Sequence, residues 1–233
     1  MSFIIRQKRS RERIMSIQTY ACIHPDCRFR FSLKAGPERP GRVRCPRCGS
    51  DTEPAGAVPD LRVPERAPYR GGPALTVVLD NLRSALNVGS IFRTADAVGA
   101  EKLVLLGTTP TPLHPKIAKT ALGAEKTVPW RHDWDSADAI ARLKSEGCEI
   151  WALEGGEAAE NLFAAFPGLS ALEAGNKIAL VLGGEVSGVD PTILDSCNRI
   201  FYLPMIGEKE SLNVAAAFAA AAYLIRFGKI THG

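Results

Sequence analysis

The stretch LTVVLDNLRSALNVGSIFRTADAVGAEKLVLLG, residues 75–107, decides the fold class. It begins with a short apolar run at 75–80 and ends with another at 102–107, and neither run alternates regularly with polar residues. Such runs are typical of strands that are buried on both faces. The apolar side chains between the two runs follow the spacing of a helix: Val88, Ile91, Phe92, Ala95 and Val98. The stretch therefore predicts a strand, a helix and a second strand.

The same alternation continues towards the C-terminus. Further apolar runs of strand length lie at 149–155 (EIWALEG), 177–184 (KIALVLGG) and 199–205 (RIFYLPM). A helical stretch, DSADAIARLKSEG, opens on a capping Asp or Ser and stops at Gly147. Strands that alternate with helices form a parallel sheet whose two faces the helices cover. We therefore predict an α/β fold with a mostly parallel sheet and helices on both faces.

Length and composition limit the class of protein. A chain of 233 residues with 45% hydrophobic residues has room for one full-sized domain and a small appendage. No apolar run reaches the length that crosses a bilayer, and the N-terminus MSFIIRQKRS lacks the apolar segment of a secretory signal. We therefore expect a cytoplasmic protein with no membrane partner. An Arg-rich transit peptide and a start at Met15 are alternative interpretations of the N-terminus.

Positive charge is concentrated near the N-terminus. The net charge of +4 and the isoelectric point near 8.8 suit many enzymes as well as proteins that bind polyanions. The distribution is more informative, because the first fifth of the chain carries a large share of the cations: Arg6, Lys8, Arg9, Arg11, Arg13, Arg28, Arg30, Lys34, Arg39, Arg42, Arg44 and Arg47. No apolar face accompanies them, so the pattern favours contact with nucleic acid over a membrane surface.

The N-terminal region also contains two closely spaced cysteine pairs: Cys22 with Cys27, and Cys45 with Cys48. Such spacing lets four thiolates surround one zinc ion, and Gly49 permits the tight turn of a zinc knuckle. Phe29 and Phe31 alternate as on a strand and supply a small apolar cover. Unliganded thiols or two disulfides are the alternatives, and His24 is an alternative ligand. We expect Cys148 and Cys197, which lie in apolar segments, to be ordinary buried cysteines.

A stretch rich in Pro and Gly, without periodicity, separates the cysteines from the α/β pattern. Such composition is typical of a linker. The sequence thus predicts four regions: a basic segment at 1–19, a zinc-ribbon-like domain at 20–54, a linker at 55–73 and an α/β domain at 74–233.

Polar and glycine residues follow three of the predicted strands. Asn81, Asn87 and Arg93 follow the first strand, Gly183, Gly184 and Glu185 follow the fourth, and Ser211 and Asn213 follow the fifth. Ligands of such sheets bind at the carboxyl ends of the strands, so these positions predict a site. Simpler interpretations exist for each position. The glycines suit a turn, Arg93 suits a solvated helix with Glu185 as its surface partner, and Ser211 suits a helix N-cap.

Three segments in this order and spacing resemble the motifs of the SpoU (TrmH-like) branch of the SPOUT RNA methyltransferases. They are NVGSIFRTADAVGA at 87–100, LVLGGEVSGVD at 180–190 and YLPMIGEKESLNVAAAFAAAAY at 202–223. The resemblance extends from about Leu75 to Phe227. It implies a SPOUT methyltransferase domain with a C-terminal trefoil knot, S-adenosylmethionine as methyl donor, a ribose 2′-hydroxyl of tRNA or rRNA as acceptor, and a homodimer.

The resemblance also implies roles for residues of this chain. Arg93 would bind a phosphate and polarise or deprotonate the ribose hydroxyl, although a guanidinium is almost always protonated. The other motif side chains would orient the substrate and the methionine portion: Asn87, Glu185, Ser211 and Asn213. The cofactor cradle would consist of Gly183, Gly184, Leu203, Pro204, Met205, Ile206 and Leu212. Val186 and Ala215 depart mildly from the family pattern, and the cysteine-rich unit departs more and leaves the identity of the RNA open.

Two other functions remain alternatives. The first is a non-catalytic RNA-binding protein, with a zinc ribbon on a methyltransferase-like fold. The complete set of Asn, Arg, Glu, Ser and Asn argues against it. The second is a nucleotide-dependent dehydrogenase. It fits poorly, because the glycine cluster lacks the G-x-G-x-x-G order and lies late in the chain.

Overall fold

The chain divides into two units, Met1–Ala67 and Pro68–Gly233. The computed structural model describes residues 17–34, 42–57, 71–169, 172–209 and 211–228. Most of the predicted basic segment and most of the predicted linker therefore lie outside the described residues. Each unit is described by itself below.

The first unit contains a small antiparallel sheet of three strands: β1 Ile17–Cys22, β2 Arg30–Lys34 and β3 Thr52–Ala57. Their order is β2-β1-β3. Tyr20 on β1 lies opposite Phe31 on β2, with ring centroids 6.0 Å apart, and Phe29 stacks on Phe31 at 5.8 Å. Phe29 lies just before β2 rather than inside it, but the two phenylalanines share a face as their spacing predicts.

The second unit contains a sheet of seven strands in the order β6-β5-β4-β9-β7-β10-β8. The strands are β4 Ala74–Asp80, β5 Lys102–Leu106, β6 Trp130–Asp133, β7 Cys148–Leu153, β8 Glu160–Asn161, β9 Lys177–Leu182 and β10 Arg199–Tyr202. Every recorded pairing in this sheet is parallel. The predicted parallel sheet is confirmed. The short strands β6 and β8 were not predicted.

Six α-helices accompany the sheet among the described residues: α1 Ala85–Val98, α2 Ala118–Ala121, α3 Ser136–Ser145, α4 Leu162–Ala165, α5 Pro191–Leu194 and α6 Val214–Phe227. Side chains cap the helices that were predicted. Ser84 accepts a hydrogen bond from the backbone of Asn87 at the start of α1, and Asp135 accepts one from Asp138 at the start of α3. Each bond satisfies a backbone N–H that has no partner within its own helix.

Helices cover both faces of the sheet, as predicted. Along β4, Leu75, Val77 and Leu79 point into a core shared with α1 and α6, whereas Val78 points into a second core shared with α3 and α5. All of these side chains are fully buried. Successive side chains of β4 point to opposite faces, and apart from Thr76 and the final Asp80 they are apolar on both faces. The strand therefore reads as a nearly continuous apolar run.

Small residues let α6 approach the first core closely. Phe218, Ala221 and Ala222 of this helix are fully buried, and Arg226 donates to the backbone oxygen of Val98 at the end of α1. The alanine-rich sequence therefore packs against α1. The trefoil knot that the resemblance implies stays a prediction. Across the described ranges, no helix combines the length and apolar character that a membrane crossing requires.

Candidate active site

The carboxyl ends of β7, β9 and β10 and the start of α6 enclose a cavity of roughly 860 Å³. It is lined by residues 153–156, 182–186, 188, 202, 203, 205, 211–214 and 217. Three strand ends were predicted to form a site, and two of them, those of β9 and β10, meet at this cavity. The segment that follows the third strand, β4, is joined to the cavity wall by hydrogen bonds.

The glycines after β9 form a closed turn at the edge of the cavity. Gly184 and Gly188 exchange two backbone hydrogen bonds of 3.1 and 2.9 Å. A Cβ atom on Gly183 would lie 2.1 Å from the carbonyl carbon of Gly188, so no larger residue fits there without moving the turn. The glycine cluster is a turn, as the simpler interpretation held, and the same turn carries Glu185 at the cavity wall.

A chain of hydrogen bonds between side chains joins the three motifs. The Asn87 amide donates to Glu185 at 2.8 Å through Nδ2, and its Oδ1 accepts from Nδ2 of Asn213 at 3.1 Å. The second oxygen of Glu185 accepts from the backbone N–H of Arg83 at 3.2 Å. These residues are far apart in sequence, so only the folded chain brings them together. The partner of Glu185 is Asn87 and not Arg93, which corrects the surface-pair interpretation.

Glu185 is held as a carboxylate by this network. Burial alone would raise the pKa of Glu185, but hydrogen bonds from Asn87 and from nearby backbone N–H groups outweigh that effect and lower it. Each donor stabilises the charged form more than the neutral acid. A negative charge therefore lies at the cavity wall at neutral pH.

Asn213 is the N-cap of α6, which corrects the interpretation that gave this position to Ser211. Its Oδ1 accepts from the backbone N–H of Ala215 at 3.0 Å, while its Nδ2 donates to Asn87. One amide thus fixes the helix start and joins the motif network. Ser211 lines the cavity and is exposed, two residues before the cap.

Arg93 lies apart from the cavity. It is exposed on α1 and is not among the residues that line the cavity. It lies six positions after Asn87, which places it about 9 Å further along the helix axis. No hydrogen bond or ion pair links Arg93 to another residue in the part of the chain that the structure describes. The structure does not bring Arg93 together with the other motif residues within this one chain.

The residues assigned to a cofactor cradle divide into two groups. Five line the cavity: Gly183, Gly184, Leu203, Met205 and Leu212. Pro204 and Ile206 do not line it, although they belong to the same bend, and both are exposed. The predicted strand 199–205 ends at Tyr202 because the chain leaves the sheet here to form the cavity wall.

Asp80 and Asn81 fasten the end of β4 to its neighbours. The buried Asp80 carboxylate accepts from the backbone of Asp190 and from the Asn81 amide, each at 2.8 Å. Asn81 adopts a left-handed conformation, with φ of 52°, and its side chain accepts from the backbone of Thr108 at 3.0 Å. Burial raises the pKa of Asp80. The hydrogen bonds of Asp80 and Asn81 hold the carboxyl edge of the sheet together beside the turn that carries Glu185.

Glu154 is a cavity residue that the sequence motifs did not reveal. It follows β7 directly, lines the cavity and accepts from the backbone N–H of Val189 at 2.9 Å. The predicted strand 149–155 contained Glu154, whereas β7 ends at Leu153. The position of Glu154 near the carboxyl end of a predicted strand was a signal, because ligands bind at strand ends.

The four N-terminal cysteines gather at one place in the first unit. Their sulfur atoms all lie within 4.8 Å of one another, and the Cys22–Cys48 and Cys27–Cys45 pairs are 3.5 and 3.7 Å apart. A disulfide would need about 2.05 Å, so these are separate thiols. Four bonds of about 2.3 Å at tetrahedral angles give sulfur separations of about 3.8 Å, so the cluster fits a zinc ion. His24 is not part of the cluster.

The fold and the site together define an α/β protein with a ligand cavity at the carboxyl edge of a parallel sheet. The model of the SpoU rRNA Methylase family matches residues 74–223. The chain belongs to this family.

Relatives and solved structures agree with this assignment. The chain is 33% identical over 147 residues to the 23S rRNA (guanosine-2′-O-)-methyltransferase RlmB of Xylella fastidiosa, covering 63% of this chain and 56% of the relative. A crystal structure of the TrmH/SpoU tRNA modifying enzyme of A. aeolicus has a TM-score of 0.57 and 26% identity, over 65% of this chain and 73% of that one.

The AdoMet-bound rRNA methyltransferase of Sinorhizobium meliloti has the same fold. Its TM-score is 0.61 at 22% identity, over 70% of this chain and 59% of that one. The chain thus spans little more than half the length of the Xylella fastidiosa relative and of this structure.

Proposed function

We propose that this protein is an S-adenosylmethionine-dependent RNA methyltransferase that modifies a ribose 2′-hydroxyl of tRNA or rRNA. The observation that carries the proposal is the hydrogen-bonded chain of Glu185, Asn87 and Asn213, which unites the three family motifs beside one cavity. A non-catalytic RNA-binding protein on the same fold would not need all three of these side chains. The name of the Xylella fastidiosa relative, a guanosine-2′-O-methyltransferase of 23S rRNA, supports the same chemistry.

The cavity suits a nucleoside-sized ligand. Its volume of roughly 860 Å³ falls within the range of about 300–1,000 Å³ that is common for small-molecule sites. Backbone around Gly183, Leu203 and Leu212 would hold S-adenosylmethionine, with Gly184 and Met205 beside it and Pro204 and Ile206 shaping the bend. The bound AdoMet of the Sinorhizobium meliloti enzyme supports this choice of ligand.

The bound donor would supply a methyl group on a positively charged sulfur. A ribose 2′-oxygen that accepts this methyl group would have to give up its proton to a base. The protein must therefore align the oxygen with the methyl group and ease the loss of the proton. We assign the alignment to Asn87, Glu185, Ser211 and Asn213.

Arg93 would serve the RNA rather than the cofactor. An exposed guanidinium outside the cavity lining is available to a phosphate of the RNA, which it can bind through two parallel hydrogen bonds. A phosphate held there would place the adjoining ribose near the cavity of a partner subunit, where Arg93 would also polarise or deprotonate the 2′-hydroxyl. This assignment follows the family resemblance.

The assembly would be a homodimer in the cytoplasm. Family resemblance suggests that each active site is completed near a partner subunit, in agreement with the position of Arg93 outside the cavity of its own chain. Two exposed apolar side chains, Leu86 at 46% and Tyr223 at 50%, offer contact surface on α1 and α6. A two-fold contact is the expected form.

The first unit would bind zinc and contribute to RNA binding. The fit of the four sulfurs to a tetrahedral site supports zinc. The ion would organise the loops that connect the three small strands. Arg28, Arg42 and Arg47 are exposed around this cluster and provide the positive charge that a phosphate backbone attracts.

Methyl transfer from labelled S-adenosylmethionine to bulk RNA tests the proposal. We expect label in RNA, released on digestion as a 2′-O-methylnucleoside, with no need for an added metal ion. The Arg93→Ala variant should bind S-adenosylmethionine normally and lose most single-turnover activity, because it removes a transition-state interaction. Lys144→Ala, on the exposed face of α3, is the matched control and should retain activity. Cofactor binding without transfer to any RNA would favour the non-catalytic alternative.

A further inference from the structure

Glu154 is a second carboxylate in the cavity wall, outside the three motifs. It lies directly after β7, and its own backbone N–H donates to the Phe201 oxygen of β10 at 2.9 Å. Its Oε2 accepts from Val189 at 2.9 Å and its Oε1 from Gly155 at 3.0 Å. Each carboxylate oxygen has a further lone pair, so these two bonds leave acceptor capacity for a ligand.

The surrounding backbone fixes the position of this carboxylate. A Cβ atom on Gly188 would lie 2.6 Å from Oε2 of Glu154, so the carboxylate occupies the space beside that glycine. Gly188 has a φ of 67°, a conformation that glycine adopts without strain. The Glu154 charge therefore sits at a defined point of the wall and does not swing freely in solvent.

Among the described residues, the cavity wall carries negative charge and no positive side chain. Glu154 and Glu185 are both in the lining, and no Lys or Arg is among the described residues that line it. In this partly enclosed site, two such charges attract a positive charge several ångströms away, at an effective dielectric that stays high because water reaches the cavity. The wall therefore favours a ligand that carries positive charge where it faces these residues.

We propose that Glu154, together with Glu185, makes the cavity selective for the positively charged methyl donor over the neutral thioether product. The inference rests on the proposed function. S-adenosylmethionine carries a sulfonium, whereas S-adenosylhomocysteine has an uncharged sulfur and otherwise the same groups. Methyl transfer thus removes the charge that the carboxylates attract, and the product loses part of its binding energy at the moment that it forms. Glu154 is a specificity-determining residue, because it acts on the ligand's charge and need not touch the reacting atoms.

The Glu154→Gln substitution separates charge from structure. The Gln side chain has the same shape, and its amide oxygen can still accept from Val189, while its NH2 group takes the place of the oxygen that accepts from Gly155. The fold of the variant is therefore checked by its thermal unfolding. A role limited to holding the Gly184–Gly188 turn would leave the relative affinity of charged and neutral ligands unchanged. A role in charge selection would alter that ratio.

Calorimetric titration with three ligands tests the proposal without RNA or turnover. S-adenosylmethionine and sinefungin carry a positive charge at or near the sulfur position, and S-adenosylhomocysteine does not. We expect Glu154→Gln to weaken the two charged ligands relative to S-adenosylhomocysteine by about 3- to 10-fold, from the Coulomb energy at several ångströms and high effective dielectric. Glu157→Gln, an exposed carboxylate outside the lining, is the matched control and should leave the ratio unchanged.

The outcomes separate this inference from the proposed function. If the folded Glu154→Gln protein binds all three ligands with the wild-type ratio, charge selection by Glu154 is refuted while the proposed function stands. If the wild-type protein binds none of them, the proposed function itself fails. Should Glu154→Gln not fold, as judged by its thermal unfolding, Glu185→Gln provides the same test, because it also removes a charge from the lining. An unchanged ratio there would overturn the proposal.

Discussion

Asn213 shows how one residue meets two demands with two atoms. Its oxygen caps α6 and its amide nitrogen donates to Asn87, so the helix start and the motif network share a single side chain. Ser or Asp would cap a helix equally well, but neither reproduces this pairing with Asn87. The requirement for Asn at this position comes from the network and not from the helix.

Asn213→Asp and Asn213→Ala separate these two contributions. The Asp variant retains a capping oxygen but cannot donate to Asn87, so we expect a near-normal free energy of unfolding and a loss of turnover of at least ~10-fold. The Ala variant loses the cap as well, and should be less stable than the Asp variant by ~1 kcal/mol. Denaturant unfolding and single-turnover methyl transfer measure the two effects. Full activity of Asn213→Asp would show that the Asn87 contact has no role in the chemistry.

At the scale of elements, apolar runs predicted the central strands and misplaced their ends. Residues 177–184 and 199–205 read as single strands, yet β9 ends at Leu182 and β10 at Tyr202. The chain leaves the sheet at both points to form the cavity wall, and hydrophobicity alone does not mark such a change. Strand β6, with the sequence WRHD, escaped prediction because an edge strand needs no continuous apolar run.

The sequence also predicted most of the site residues but not the hydrogen bonds between them. The positions of Asn87, Glu185 and Asn213 were predictable because each follows a buried strand or opens a helix. Their mutual hydrogen bonds were not, since they depend on contacts between residues about a hundred positions apart. Glu154 was missed for the same reason, as its partner Val189 lies on another strand's loop.

The four-cysteine cluster lies among the three small strands and the segments that follow them. We expect one zinc ion per chain in freshly prepared, reduced protein, measured by metal analysis. Cys45→Ser should lower the zinc content sharply, because three thiolates hold the ion less well than four. Cys197→Ser, far along the chain in the other unit, is the control and should retain zinc. Wild-type protein without zinc would contradict the ligand assignment of Cys22, Cys27, Cys45 and Cys48.

For the whole molecule, the proposed function assigns part of the RNA binding to the first unit and the cofactor to the second. Removal of residues 1–54 should weaken RNA binding and reduce its salt dependence, because the deleted segment carries much of the positive charge. S-adenosylmethionine affinity should remain nearly normal, since the cavity lies wholly in the second unit. Filter binding at several salt concentrations and calorimetry measure the two affinities. Equal loss of both would instead indicate that the ribbon has a structural role.

The proposed homodimer concerns the whole molecule as well. Light scattering should give about twice the chain mass at assay concentrations, since α1 and α6 carry exposed apolar residues that a partner subunit can cover. Tyr223→Glu, which places a charge on the exposed face of α6, should shift the protein towards the monomer and lower activity in parallel. An active monomer at assay concentration would refute the dimer.

Mapping of ribose methylation in cells tests the central claim most directly. RNA from a strain that lacks this gene should have lost the 2′-O-methyl group at one nucleotide of a tRNA or rRNA, and the wild-type gene should restore it. The Arg93→Ala gene, expressed to the same level, should not restore it. The account is contradicted if no ribose methylation disappears in the deletion strain, or if the lost methylation returns fully with Arg93→Ala.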